Sequence, residues 1–282
     1  MPVALVIPPS PFLISDRSFP FLGVLLVAAA LRQAGHQVEV LDLAGAEDYR
    51  EQVATWARAR QAEDWSLVGI TSTTAQFPYA RAILHELKRV DKRWAVGIGG
   101  AHPTVQPQSC GGFDKVVMDD GMSGVFDALK PDSPREVIGP LTDMGLWPLP
   151  ARDLIDMASY TADIGGLKAT SVMFSSGCPH ICGFCSGRLL RVYRTQRRRP
   201  VAHIMHELDH LVATYGIRAF WAFDDEVNIN REWLLALCTA LGQRDYIWRA
   251  FVKAERFTPE VAAAMRAGGC VEVGFGAESG SA

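Results

Sequence analysis

The chain has 282 residues, of which 49% are apolar and 21% charged, with a net charge of −3. That length allows one large or two ordinary domains with substantial cores. A nearly balanced charge gives no whole-molecule attraction for nucleic acid, and no stretch approaches the roughly 20 apolar residues of a membrane helix, so neither partner is expected.

Residues 1–7 lack the cationic start of a secretory signal and soon meet Pro8-Pro9. With six cysteines, three of them clustered, a reducing cytoplasm is the expected compartment. Residues 3–7 read as a buried strand, 23–34 as an apolar helix closed by Gly35, and 37–41 as the next strand. A helix over 48–62, a third strand over 67–71, an amphipathic helix over 79–90 and a fourth strand over 94–98 follow. A short strand over 115–118 then precedes a helical 125–129. Such alternation predicts an α/β fold, a doubly wound parallel sheet that holds ligands at the carboxyl ends of its strands. The rim would carry residues 8–21, 72–77 and 99–106. On it Ser72, Thr73 and Thr74 offer hydroxyls, and Gly99-Gly100 lets backbone approach a flat or bulky ligand. No G-x-G-x-x-G follows the first strand, so an ordinary dinucleotide site is not expected. Glycine pairs and hydroxyls at strand ends also serve as turns and caps, which leaves open a domain of this topology that binds nothing.

Residues 131–165 begin with Pro131, Pro134, Pro140, Pro148 and Pro150 and read as a linker between a domain over 1–130 and one over 166–282. In the second domain strands over 172–174, 219–223, 247–252 and 271–275 alternate with helices over 201–215, 231–241 and 259–267. Each later strand ends in polar residues: Asp224-Asp225-Glu226, then Lys253 to Arg256, then Gly276 to Gly280. A parallel barrel places its chemistry at such ends. Arg188, Arg191, Arg194 and Arg197 to Arg199 form a basic stretch; no aromatic series beyond Tyr193 accompanies it, so it is read as pairing with an anionic cosubstrate or facing water, not as a nucleic-acid site. His203, His206 and His210 read as an exposed helix face.

After the apolar 172–174 come Cys178, Cys182 and Cys185, spaced C-x3-C-x2-C, with Gly177, Pro179, Gly183 and Gly187 keeping the segment out of a helix. Structural zinc would want a fourth ligand at matched spacing, and His180, inside the array, is badly placed for it. Iron–sulfur clusters are held by cysteine thiolates, and three of them leave one iron of a cubane open to a substrate or cosubstrate. Clustered structural cysteines and zinc remain the alternatives on the residues alone.

The motif, with Phe184 just before its last cysteine, resembles that of the radical S-adenosylmethionine family. The resemblance implies a [4Fe-4S] cluster on Cys178, Cys182 and Cys185, with S-adenosyl-L-methionine coordinated at the open iron and cleaved to a 5′-deoxyadenosyl radical. It also implies cosubstrate contacts by Phe184, by Asp224 and Asp225 to the amino group, and by Glu278 and Ser279 to ribose or carboxylate. The first half resembles the cobalamin-binding domain that precedes many such barrels. That resemblance rests on Ser72 to Thr74 after the third strand and on Gly99-Gly100-Ala101-His102-Pro103-Thr104 after the fourth. It implies cobalamin contacts by Ser72, Thr73, Thr74, Gly99, Gly100, His102 and Thr104. No D-x-H-x-x-G is present, so histidine ligation of cobalt is not supported, and Asp119 to Gly124 departs from the acidic segment of many relatives.

Taken together, the expected architecture is a cobalamin-binding, flavodoxin- or Rossmann-like sheet followed by a partial radical S-adenosylmethionine barrel. It shows four strand units where the family has about six, as in a fragment, a short form or a barrel completed by another chain. The implied activity is cobalamin-dependent methyl transfer to an unactivated carbon of a small-molecule, peptide or natural-product substrate, with an external electron donor such as flavodoxin or ferredoxin. A cobalamin-independent radical enzyme and a non-catalytic iron–sulfur sensor are the alternatives.

Overall fold

Val3 to Ile7 is apolar at every position, and a strand without a polar face must be covered on both sides. In the computed structural model, which describes residues 1–185, 187 and 190–280, this run is β1 (Pro2–Ile7). With it lie β2 (Gln37–Asp42), β3 (Leu67–Thr71), β4 (Val96–Gly99), β5 (Lys115–Asp119) and β6 (Glu136–Gly139). They form one parallel six-stranded sheet of order β2-β1-β3-β4-β5-β6. Alternate residues of β1 serve different layers. Ala4 and Val6 join the core under α2 (Tyr49–Ala59) and α3 (Phe77–Val90). Val3, Leu5 and Ile7 join the core under α1 (Leu22–Gln33) and α5 (Gly121–Ala128). The chain reverses its direction of travel across the sheet between β1 and β3, and the carboxyl ends on either side of that point flank the crevice where open α/β sheets take ligands.

Two features depart from the sequence reading. Residues 101–105, read as loop, form a short helix, α4 (Ala101–Val105). The proline-rich segment is no free linker: it contributes β6, whose pattern puts Val137 inward between exposed Glu136 and Ile138. Residues 147–159 also belong to the first unit, where the Ala151 N–H donates to the Leu25 carbonyl and Ala151 and Leu154 pack on the α1 core. Proline density marked the irregular backbone but carried no information on what covers it.

The second unit contains Asp143–Leu146 and the chain from Tyr160 on. Its main sheet has the order β13-β12-β11-β8-β7. Here β7 (Asp163–Ile164) pairs antiparallel with β8 (Leu167–Val172), while β8, β11 (Ala219–Ala222), β12 (Ile247–Phe251) and β13 (Cys270–Gly274) run parallel. The first barrel strand thus ends at Val172, earlier than read. A small antiparallel ladder joins β9 (Ser175–Ser176) to β10 (Arg197–Arg198), with α6 (Arg191–Arg194) between them. The crossovers are α7 (Val201–Tyr215), α8 (Arg231–Leu241) and α9 (Pro259–Ala267). Asn230 and Thr258 accept from the third-residue N–H of α8 and α9, and Gly216 closes α7 in the left-handed conformation.

The buried face of α7 carries a charge among its apolar residues: Glu207 lies with Ile204, Leu208 and Leu211. It pairs with Arg199, and these side chains are 1% and 4% exposed. Arg199 also donates to the Met173 carbonyl, so the pair ties α7 to the segment that leaves β8. Removing one partner strands a buried charge. Glu207→Ala is expected to cost about 3 to 5 kcal/mol in urea unfolding, and a loss below about 1 kcal/mol would show that the pair does not brace this segment.

Candidate functional site

The cysteine segment leaves β8 with little strand pairing of its own, yet its backbone groups must find partners. Phe174 is fully buried, edge-to-face with Trp248 at 5.9 Å. Its N–H donates to Oδ1 of Asp224 at 2.9 Å, and the Ser175 N–H donates to Oδ2 at 2.6 Å, joined by the Ser175 hydroxyl. Two residues on, the Gly177 N–H donates to Oδ2 of Asp225 at 2.8 Å. The Cys178 N–H then donates to the Tyr193 carbonyl at 2.6 Å, and Arg199 N–H donates to Phe174 carbonyl on the side of the β9–β10 ladder. Gly177 has φ +92°, and a Cβ there would stand 2.3 Å from the Thr195 carbonyl oxygen, so only glycine fits.

Beyond this fixed stem the three thiols are free, Cys178 and Cys182 half-buried and Cys185 exposed. The other cysteines are buried, and burial pushes the thiols of Cys238 and Cys270 up to about 12 and 11. Burial also raises the Cys178 thiol, opposed by the His180 N–H and reinforced by the carboxylates of Glu226 and Asp225. Cys178 Sγ, a His180 ring nitrogen and a Glu226 carboxylate oxygen lie within 4.8 Å of one another. A single metal ion there would use one of the three loop cysteines and leave Cys182 and Cys185 idle. Three soft sulfur donors on one loop suit an iron–sulfur cluster, with His180 and Glu226 beside it.

The strand ends carry the acidic and polar residues of the sequence reading. Asp224 is buried with both carboxylate oxygens engaged by residues 174 and 175. Burial pushes it up to about 7 against the three donors. Asp225 is exposed except for its bond to Gly177. Asn228 joins the ends of β11 and β12 through both Lys253 backbone groups, and Asn230 caps α8. Phe184 is exposed between the last two cysteines. Glu278 and Ser279 lie on the exposed stretch after β13, where Glu278 has φ +56°. Within the expected basic stretch Arg188 lies outside the described residues. Of the three helix histidines, His203 is half-buried, while His206 and His210 are exposed.

In the first unit the rim loops hold one another. Gln76, 1% exposed, donates to the Pro8 carbonyl and to the Ser10 hydroxyl and accepts from the Thr73 N–H, so the ends of β1 and β3 are joined. Sequence reasoning missed it, because a glutamine at a helix start carries no distinctive spacing. Thr73, Thr74 and Gly100 are exposed, Gly99 half-buried, and Ser72 buried. Gly100 has φ +106°, and a Cβ there would meet the Ser72 carbonyl oxygen at 2.9 Å. Thr104 bridges β4 to β5: it donates to the Gly100 carbonyl and accepts from the Asp119 N–H. His102 is part of the same rim. It is buried, stacked on Phe77 at 3.9 Å, with Nδ1 at 3.2 Å from the Thr74 hydroxyl and Nε2 at 2.8 Å from that of Ser109. Both ring nitrogens serve the rim itself, and what the rim presents outward is Thr73, Thr74 and the glycine backbone.

Comparison with known proteins agrees with both units. Residues 17–128 match the model of the B12 binding domain, and residues 172–282 match that of the Radical SAM superfamily. The chain belongs to the radical S-adenosylmethionine enzymes that carry a B12-binding domain ahead of the radical domain. It is similar to an uncharacterized methyltransferase of Pyrococcus horikoshii, 30% identical over the whole of this chain and 66% of that protein. It is 23% identical to the anaerobic magnesium-protoporphyrin IX monomethyl ester cyclase of Synechocystis sp., over 86% of this chain and 53% of the cyclase. Among solved structures, the radical S-adenosylmethionine methyltransferase TsrM from Kitasatospora setae has the same fold, with a TM-score of 0.75 at 20% identity over 98% of this chain and 59% of TsrM. The cobalamin-dependent enzyme OxsB superposes with a TM-score of 0.79 at 17% identity, over 99% of this chain and 44% of OxsB. The chain therefore spans between 44% and 66% of these proteins' lengths.

Burial holds the His102 imidazole below its usual 6.5. The folded chain favours the neutral ring, so the unfolded chain takes up the proton first as pH falls through about 6.5, and stability is lost from there down to the folded value. His102→Gln should flatten the decline of the urea midpoint between about pH 7.5 and pH 5.5. An unchanged slope would remove His102 from the acid sensitivity of the rim.

Proposed function

We propose that this chain is a cobalamin-dependent radical enzyme that reductively cleaves S-adenosyl-L-methionine and transfers a methyl group to an unactivated carbon of a small-molecule substrate. The observation that carries the reading is the set of three free thiols on one rigidly stemmed loop, Cys178, Cys182 and Cys185, with no fourth cysteine beside them among the described residues. When bound, a [4Fe-4S] cluster supplies the electron for cosubstrate cleavage at its open iron, and cobalamin supplies a transferable methyl group.

The chain's own residues hold and orient. Asp224, Asp225 and the Tyr193 carbonyl fix the backbone on the amino side of Cys178, and Phe174 against Trp248 seats the segment on the barrel core. Phe184, Glu278 and Ser279, exposed at the carboxyl side of the sheet, are the residues we assign to the cosubstrate, together with the free side of Asp225. In the first unit Thr73, Thr74 and the backbone of Gly99 and Gly100 are assigned to cobalamin, with Ser72, His102 and Thr104 as the supports that shape this rim. Methyl transfer is favoured over other radical outcomes by the similarity to the Pyrococcus methyltransferase and to TsrM. An external flavodoxin or ferredoxin is the proposed electron source.

Anaerobic reconstitution with iron and sulfide should give about four iron atoms per chain, and dithionite with the cosubstrate should then release 5′-deoxyadenosine. Cys182→Ala should lose both colour and release. Incubation with hydroxocobalamin should leave corrin on the protein through gel filtration. Protein that carries zinc in place of iron would overturn the reading, and loss of all corrin would overturn its cobalamin part alone.

A further inference from the structure

The acidic run after β11 spends all three of its side chains on the cysteine segment. Asp224 takes the N–H groups of residues 174 and 175, Asp225 takes that of Gly177, and Glu226 reaches His180 inside the array, its Oε2 at 3.3 Å from Nε2. The order is collinear: successive acids meet successive points along the segment, from its stem to the residue between the first two cysteines. Two of these acids differ in what they give. Asp224 is buried and fixes backbone, while Glu226 makes no backbone bond among the described residues and stands with His180 and the Cys178 sulfur within 4.8 Å. Asp225 does both, because its one bonded oxygen anchors the residue before Cys178 and its carboxylate stays at the loop surface.

We propose that Asp225 and Glu226 are positioning and tuning residues for the cluster: with Asp224 they clamp the thiol loop, and their fixed negative charge beside Cys178 lowers the cluster's reduction potential. The physical basis is elementary. Reduction adds an electron to the cluster, and a nearby anion disfavours the more negative state, more strongly where water is partly excluded. The same residues shape the loop through hydrogen bonds that a neutral side chain can also make, so position and charge are separable by substitution. This inference rests on the cluster reading above.

Asp225→Asn keeps an acceptor for the Gly177 N–H and removes only the charge; Glu226→Gln removes charge where there is no backbone bond to lose. Asp225→Ala removes both. Each variant is reconstituted anaerobically, its iron content measured, and its potential titrated by electron paramagnetic resonance at one fixed pH. The Asn and Gln variants should hold iron at the wild-type level and shift the midpoint potential positively, while Asp225→Ala should lose at least half of its iron at unchanged far-ultraviolet circular dichroism. Wild-type potentials in both neutral variants would overturn the tuning role, and wild-type iron content and spectrum in Asp225→Ala would overturn the clamp. Failure of the wild-type chain itself to take up iron would instead sink the cluster assignment, so the two failures are distinguishable.

Discussion

The structure depends on how a segment of irregular backbone is kept in one place beside a sheet. A loop that must hold three sulfur atoms cannot be helix or strand, so its N–H groups have no ladder to join, and each one left unpaired in a buried stem costs about 1 to 3 kcal/mol. Here the cost is met by carboxylates from the neighbouring strand. Asp224 and Asp225 supply acceptors at residues 174, 175 and 177, and β10 with residues 193 to 199 supplies the opposite side. The buried Arg199–Glu207 pair and the Phe174–Trp248 contact extend the same bracing into the helices and the barrel core.

The first unit solves a similar problem by different means. Its rim is a set of glycine and hydroxyl loops at the carboxyl ends of parallel strands, and neutral groups hold it together: Gln76 between β1 and β3, His102 between Thr74 and Ser109, Thr104 between β4 and β5. Neutral bonding leaves the rim without fixed charge of its own at these positions. In each unit a non-glycine residue adopts positive φ at a strand's end or in the stretch that follows it, Asp119 as the last residue of β5 and Glu278 four residues past β13. Such strain, of order 1 to 3 kcal/mol, gathers at functional edges.

Several residues of the expected sites also brace the loops they sit on. Asp224, Ser72 and His102 stand in positions that motifs associate with a cofactor, yet their polar atoms face the protein. Glu226 and His180 stand beside the first cysteine. Spacing makes His180 a poor fourth ligand, and its nearness to Glu226 and Cys178 gives the loop a charged neighbour that spacing alone does not suggest.

By itself the sequence determined what depends on local period and spacing. The alternation of apolar runs told of parallel sheets, because a strand covered on both faces has to be apolar throughout, as β1 is. The C-x3-C-x2-C array told of three thiols on one short loop, because so close a spacing keeps them on the same loop whatever surrounds it. Tertiary structure alone decided which partner each polar atom takes. Asp224 meets Phe174 across 50 residues, and Val137 enters the sheet from a stretch whose prolines spoke only of irregular backbone. Hydrogen bonds and burial are made between residues far apart in the chain, and a residue's type constrains how many bonds it can make without naming the groups that will receive them.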